Sequence, residues 1–227
     1  MKKFDAIILS GGKGTRVNKY TSKLPKCLIQ INRKPFLYHQ LKYLRKYDVN
    51  NVIISIGYLG KKIDTYLRKN INFINFKTIY DGKSPLGTGG AVTKSLRYLK
   101  KNFFIIYGDS YLNFDLKNII NNKKLATMAI YRNKNRYDKS NIDLKKTKKI
   151  RYFKKNTTKK LEYIDYGVSY VDHKIFNGIK ENTKFELSDF FENLSKKNKL
   201  SCYEVKKRFY EIGSYNGIKD IKKFLSK

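Results

Sequence analysis

Between Ala6 and Lys26 the chain reads AIILSGGKGTRVNKYTSKLPK, its densest set of residues able to do chemistry. Four apolar residues, Ala6 to Leu9, predict a buried strand, and the loop Ser10-Gly11-Gly12-Lys13-Gly14-Thr15-Arg16 follows at once. Glycine lets a backbone reach positive φ and approach a ligand closely. A loop with so little side chain can aim several N–H groups at phosphate oxygens. Lys13 and Arg16 add fixed positive charge, and a guanidinium grips phosphate through two parallel hydrogen bonds. Ten residues past Arg16, Pro25-Lys26 sets another cation after a turn. Two familiar phosphate loops are excluded. No Gly-Lys-Ser/Thr closes the loop, and Val17 stands where the dinucleotide fingerprint needs glycine. Gly-Gly-Lys-Gly alone would serve equally as a surface turn; the strand before it and the Pro-Lys after it set it apart.

Asp109 follows the apolar run Phe103 to Tyr107 and one glycine. A carboxylate at a strand end, facing a phosphate-lined cleft, suits magnesium, which takes few protein carboxylates and fills its shell with water and phosphate. The plainer alternative is an Asp that caps the next turn. Asp81 precedes Ser84-Pro85-Leu86-Gly87-Thr88-Gly89-Gly90 and, without that segment, would read as an ordinary surface acid. His39 and His173 have no partner pattern. Cys27 and Cys202 lack the spacing of a zinc or redox pair, and they suit a reducing cytoplasm.

The elements that must position these residues alternate. Leu37, Leu41 and Leu44 mark a helix opened by Lys34-Pro35. Asn51 to Ile56 is a strand, Gly60 to Arg68 a helix, and Ile71 to Tyr80 strand-like but broken at Asn75. Gly89 to Leu99 is helical, and Phe103 to Tyr107 is a fully apolar strand. Such alternation predicts an α/β fold with a mostly parallel sheet covered on both faces. Ligands of such sheets bind beyond the carboxyl ends of the strands, where the glycine loop and Gly108-Asp109 both fall. The second half is less regular. It predicts a short helix at Leu116 to Lys123, a strand at Ala126 to Arg132, a hairpin within Asn141 to Lys154 and a polar loop to Lys160. Beyond these come a strand at Tyr166 to Val171, a helix at Glu186 to Lys196, strands at Ser201 to Val205 and Phe209 to Ile212, and a closing helix. The 227 residues fit one domain, with the regular half running to about 125 and the less regular half from about 126.

The formal net charge is +33. Such a field attracts nucleic acid or anionic membrane. The lysines, however, are scattered through every segment in a chain rich in Asn, Ile, Tyr and Phe, and dispersed charge is a weaker footprint than a clustered basic face. The expectation is no nucleic-acid partner and no membrane partner. The opening MKKFDAIILS is too short in its apolar run for a signal core, and no run approaches a membrane span, so a cytoplasmic protein is expected. A homo-oligomer is left open.

The strand, Gly-Gly-x-Gly-Thr-Arg and the later Pro-Lys resemble the signature of the sugar-1-phosphate nucleotidyltransferases. Those enzymes join a nucleoside triphosphate to a sugar 1-phosphate and release pyrophosphate. Lys34-Pro35-Phe36-Leu37, Gly57-Tyr58-Leu59, PLGTGGA, Gly108-Asp109-Ser110-Tyr111 and Arg136-Tyr137 look like the branch that uses GTP and D-glycero-α-D-manno-heptose 1-phosphate. The resemblance implies a Rossmann-like domain with a small inserted β portion for the sugar. It implies nucleotide contacts from Leu9, Gly11, Gly12, Lys13, Gly14, Thr15, Arg16, Lys26, Asp81, Gly87, Thr88 and Asp109, with Arg16, Lys26 and Asp109 catalytic. Mg²⁺ would sit on Asp109 and on Glu211, which stands where the family has Asp in an Asp-Ile-Gly-Thr-like motif. Tyr111, Arg136, Lys155, Asp165 and Gly167 fall at the sugar-phosphate side. There the chain departs from the pattern: Phe153-Lys154-Lys155 keeps only the lysine of a Glu-Lys pair, Asp165-Tyr166-Gly167 replaces Asn-x-Gly, and Asp138 replaces a glycine after Arg-Tyr. Within the family, mannose 1-phosphate with GTP, a CTP-using relative and a silent regulatory homologue stay open.

Overall fold

Three largely apolar runs and the more polar NFKTIY, each ending in a short loop, become the parallel half of one sheet. The computed structural model describes residues 3–82, 84–121, 123–145, 149–153 and 160–226. In the first half, β1 (Phe4–Ser10) leads through a short helix α1 (Asn18–Thr21) and a small ladder, β2 (Gln30–Ile31) with β3 (Lys34–Pro35), to α2 (Phe36–Lys46). Then follow β4 (Val49–Ile56), α3 (Gly60–Asn70), β5 (Asn75–Tyr80), α4 (Gly87–Ser95) and β6 (Asn102–Tyr107). The second half supplies β7 (Ser110–Tyr111), β8 (Ala126–Arg132), a hairpin of β9 (Ile142–Leu144) and β10 (Ile150–Tyr152), β11 (Tyr163–Asp172), α5 (Leu187–Lys196), β12 (Ser201–Val205), β13 (Tyr210–Glu211) and α6 (Tyr215–Leu225).

Among the described residues nine strands form one sheet in the order β10-β9-β11-β6-β1-β4-β5, with β8 on β11 and β12 on β8. β6, β1, β4 and β5 run parallel. The sheet turns antiparallel where β11 joins β6, so the second half of the chain continues the sheet of the first without a break. On β11, Tyr166, Gly167 and Val168 stand opposite Ala129 alone, since Asp165 pairs with Ile130 and Ser169 with Met128. A bulge of this kind re-aims side chains beside it. Gly167 takes φ 92° there, a conformation costly for any residue with a Cβ.

Alternate residues of β1 face opposite layers. Ala6 and Ile8 meet Leu37, Leu41 and Leu44 of α2 and Ile63 and Leu67 of α3. Ile7 lies in the other layer with Val92 of α4 and Phe191 of α5. Helices therefore cover both faces, as a buried parallel sheet demands. A third cluster joins Val17, Ile29, Phe36 and Ile212 to Ile218 and Ile221 of α6, so the last helix clamps the phosphate-loop region.

Some elements are shorter than their sequence pattern predicts. The helix expected at Leu116 to Lys123 is a single 3₁₀ turn, Leu116–Ile119, because the polar residues after Ile120 have nothing to bury. The run from Ile71 forms a strand only from Asn75. Cys27 and Leu28 belong to a 3₁₀ turn begun by Pro25. The polar loop expected at Lys155 to Lys160 lies, Lys160 aside, outside the described residues. No helix among the described residues is long and apolar enough to cross a membrane.

Candidate active site

The carboxyl ends of β1, β4, β5 and β6 lie side by side, with Ser10 level with Ile56, Ile56 with Tyr80 and Leu9 with Tyr107. Each strand hands its chain to a functional segment: Gly11, Gly57, Asp81 and Gly108-Asp109. Backbone bonds tie these ends together, Gly108 N–H to Leu9 O (3.0 Å), Tyr58 N–H to Gly11 O (3.2 Å) and Asp81 N–H to Ile56 O (3.0 Å). Above them opens a cavity of about 430 Å³. Every predicted nucleotide contact lies on its wall except Lys13, which is exposed on the loop.

The phosphate loop is held in shape from below. Gly14 takes φ 67°, and its carbonyl accepts from Val17 N–H (3.1 Å) and from the Thr21 hydroxyl (3.0 Å). A Cβ on Gly11 would lie 2.7 Å from Asp81 Oδ2, so this glycine admits the base-side carboxylate against the loop.

Beside the glycine loop on the cavity wall, Lys26 Nζ donates to Asp109 Oδ2 at 2.6 Å in a part-buried pair. The 3₁₀ turn after Pro25 aims Lys26 there, and β6 delivers Asp109. β13 pairs with β7, placing Glu211 opposite Ser110, and Ile212 N–H donates to Asp109 O at 3.0 Å. The Glu211 carboxylate accepts from Gly213 N–H and from the Ser214 hydroxyl at the start of α6. A Cβ on Gly213 would lie 2.8 Å from Glu211 Oε2 and 3.0 Å from both Arg16 Nη2 and Lys26 Nζ, so three charged heads converge there. Among the described residues no cluster of three or more His, Cys, Asp or Glu side chains could hold a metal. A cation here would take most of its shell from phosphate and water, as magnesium does. Asp109 fits that demand. Glu211 has each oxygen engaged once and keeps further lone pairs for a direct or water-mediated contact. Cys27 lies beneath, buried, and burial pushes its thiol up to about 12, so it offers no nucleophile.

Elsewhere on the cavity wall, Asp81 Oδ1 accepts from the Ser55 hydroxyl at 2.9 Å. Burial raises this carboxyl above the usual range, opposed by Ser55 and by Lys94. The segment after it is locked by the second half of the chain. Gly89 and Gly90 N–H donate to Phe185 O (3.0 and 3.3 Å), and Phe185 N–H donates to Leu86 O (3.1 Å). A Cβ on Gly89 would strike the Phe185 ring at 2.1 Å, and one on Gly90 would strike Thr183 O at 2.5 Å. These two glycines admit the 183–187 segment.

The sugar-side residues are scattered. Asp165 and Gly167 sit at the bulge, with Gly167 N–H donating to Asp165 Oδ1 at 2.8 Å. Asp165 Oδ2 is buried without a hydrogen-bond partner, and burial pushes this carboxyl up to about 7. The neighbouring Tyr107, which lines the cavity, has its phenol raised chiefly by burial and next by Asp165. Tyr111 packs its ring against Phe36, Tyr43 and Phe224, away from the cavity wall. Arg136 is exposed on the 133–140 loop, whose Asp138 comes within 3.9 Å of Arg16. Lys155 lies outside the described residues.

Three cavity residues were not anticipated: Ser55, Tyr107 and Glu186. Ser55 had a faint signal, a polar side chain inside the apolar run NVIISI. Glu186 had none, because it meets Thr88 from 98 residues away.

A family model described as nucleotidyl transferase matches residues 5–227. A D-glycero-alpha-D-manno-heptose 1-phosphate guanylyltransferase of Campylobacter jejuni is 31% identical over 211 residues, 92% of this chain and 94% of that protein. One from Aneurinibacillus thermoaerophilus is 31% identical over 216 residues, 92% of this chain and 93% of that one. The fold is close to that of HddC from Yersinia pseudotuberculosis, solved also complexed with GMP-PN. The first of these crystal structures has a TM-score of 0.83 at 24% identity and covers 98% of this chain and 99% of that one.

Proposed function

The chain belongs to the nucleotidyl transferase family, and we propose that it transfers GMP from GTP to D-glycero-α-D-manno-heptose 1-phosphate, giving GDP-heptose and pyrophosphate. The observation that carries this reading is the 2.6 Å Lys26–Asp109 pair in a cavity walled by the glycine loop on one side and by Asp81 on the other.

The reaction needs no protein nucleophile. An oxygen of the sugar phosphate forms a bond to the α-phosphorus as the bond to the bridging β-oxygen breaks, and pyrophosphate leaves opposite. The protein's task is to position two polyanions and offset growing negative charge. Lys26 faces the α-phosphate and the attacking phosphate. Arg16, with the loop N–H groups and Lys13 at the rim, holds the leaving phosphates. Asp109, helped by Glu211, would hold Mg²⁺, which when bound would offset the negative charge that grows on the phosphates. Asp165 would accept from sugar hydroxyls, and Lys155 would neutralise the sugar phosphate.

Asp81 supports GTP. A carboxylate only accepts hydrogen bonds, and guanine presents two adjacent donors, N1–H and the N2 amino group. Uracil and thymine offer one donor flanked by acceptors, and cytosine and adenine pair a donor with a ring acceptor. The names of the two 31%-identical relatives point the same way and supply the heptose.

The test is pyrophosphate release with GTP, ATP, CTP and UTP, each against heptose, mannose and glucose 1-phosphates. GTP should lead by ~100-fold or more in kcat/KM, the scale of edge-reading discrimination. Equal use of UTP would overturn the guanine assignment. Faster turnover of mannose 1-phosphate would keep the nucleotide and discard the heptose.

A further inference from the structure

We infer that Glu186 is a second base-reading carboxylate of the nucleotide pocket: it locks the base segment through one oxygen and presents the other to the donor edge of guanine. This deepens the guanylyltransferase reading and rests on it.

The geometry separates the two oxygens. Oε2 accepts from Thr88 N–H at 3.1 Å and from the Thr88 hydroxyl at 2.6 Å. The hydroxyl oxygen also accepts from Leu187 N–H at 2.8 Å. Thr88 N–H can only donate, so an acceptor must face it. Oε1 lies against Gly87, 2.8 Å from where a Cβ would stand, and accepts nothing from a described residue. Gly87, Thr88 and Glu186 all line the cavity, as does Asp81. Asp81 has one oxygen tied to Ser55 and the other against Gly11 and Gly57. A base with two adjacent donors thus meets two acceptor-only groups, one delivered by β5 and one by the residue before α5.

Glu186→Gln isolates the reading role from the locking role. The amide oxygen must take the Thr88 donors, which forces the NH₂ toward the cavity. The lock survives while the exposed atom changes from acceptor to donor. Binding of GTP, ITP, ATP and UTP to the purified chain is measured by calorimetry, and thermal unfolding is followed alongside. Glu186→Gln should unfold at the wild-type temperature yet lose about 10- to 100-fold in GTP affinity relative to UTP, the range for a hydrogen bond to a charged group. Glu186→Asp, one methylene shorter, should keep the wild-type order of preference with weaker binding. An unchanged order of preference in Glu186→Gln, with normal unfolding, overturns the inference. Should Glu186→Gln fail to fold, a reversed order in Glu186→Asp overturns it instead. A wild-type preference for a triphosphate other than GTP would remove the guanine reading. Even then a reordering in Glu186→Gln would keep Glu186 as a reader of the base, whereas no reordering would sink that too.

Discussion

Asp165→Asn should change the pH dependence of stability more than any other single substitution near the cavity. Asp165 Oδ2 is buried without a partner, and burial pushes the carboxyl from 3.8 up to about 7. The folded chain therefore holds a proton that the unfolded chain has already released. Stability follows the difference in bound protons, so this residue's contribution is fully present below about pH 4, falls as pH rises toward 7, and is flat above it. A rise of about three pH units at 1.36 kcal/mol each puts the loss on the order of 4 kcal/mol. At roughly 2–4 °C per kcal/mol for a chain of this length, Tm should fall by about 8–16 °C from this source. Asparagine does not titrate and can still accept from Gly167 N–H through its carbonyl oxygen. The difference in Tm, variant minus wild type, should therefore grow by about that amount between pH 4.5 and 8.5. The neighbouring phenols of Tyr107 and Tyr152 are raised by burial and stay neutral throughout. The assay is thermal unfolding of both proteins across that range in buffers of equal ionic strength. Parallel curves would refute the reasoning, because a carboxylate that ionises normally in the folded chain contributes no such slope.

Asp109→Asn should cut turnover at least ~100-fold with the fold intact, since an amide binds a hard cation poorly and leaves Lys26 without its partner; steady-state kinetics within a few-fold of wild type would remove Asp109 from the metal site. Gly90→Ala should cost about 1–3 kcal/mol of stability in denaturant unfolding, because the new Cβ meets the Thr183 carbonyl at 2.5 Å and must push the 183–187 segment off the base segment. Asp138→Asn should lower the KM for the triphosphate by less than about fivefold, since Asp138 lies 3.9 Å from Arg16 in an exposed pair of small worth; a rise in KM would mean that Asp138 itself touches substrate.

The sheet was legible because its signals are local. Ala6 to Leu9 and Phe103 to Tyr107 are unbroken apolar runs, Asn51 to Ile56 is apolar but for Asn51 and Ser55, and each became a strand buried on both faces. The leucines of α2 follow the helical period and face the core. What the sequence could not show is where a weak element stops. Leu116 to Lys123 has apolar residues only in its first half, and the helix ends where burial ends. Nor could it show the antiparallel entry of β11 beside β6, a pairing between residues some 60 apart that no local pattern encodes.

The site divides along the same line. Strand-end logic located Gly11, Asp81 and Asp109 because a parallel sheet brings its carboxyl ends together whatever lies between them. Lys26 and Asp109, 83 residues apart, form their ion pair as a consequence. Glu186 obeys no such rule, since its segment lies outside the strands and is positioned by packing against α4. The glycines of PLGTGG show why sequence alone misassigns such contacts. A glycine that admits a ligand and a glycine that admits another part of the chain look identical in one dimension. The resemblance assigned Gly87 to the nucleotide, and its neighbours Gly89 and Gly90 make room for Phe185 and Thr183. That packing is what carries Glu186 to the wall of the cavity that Asp81 also lines, so two glycines that do not line it would act on a ligand through the carboxylate they let in.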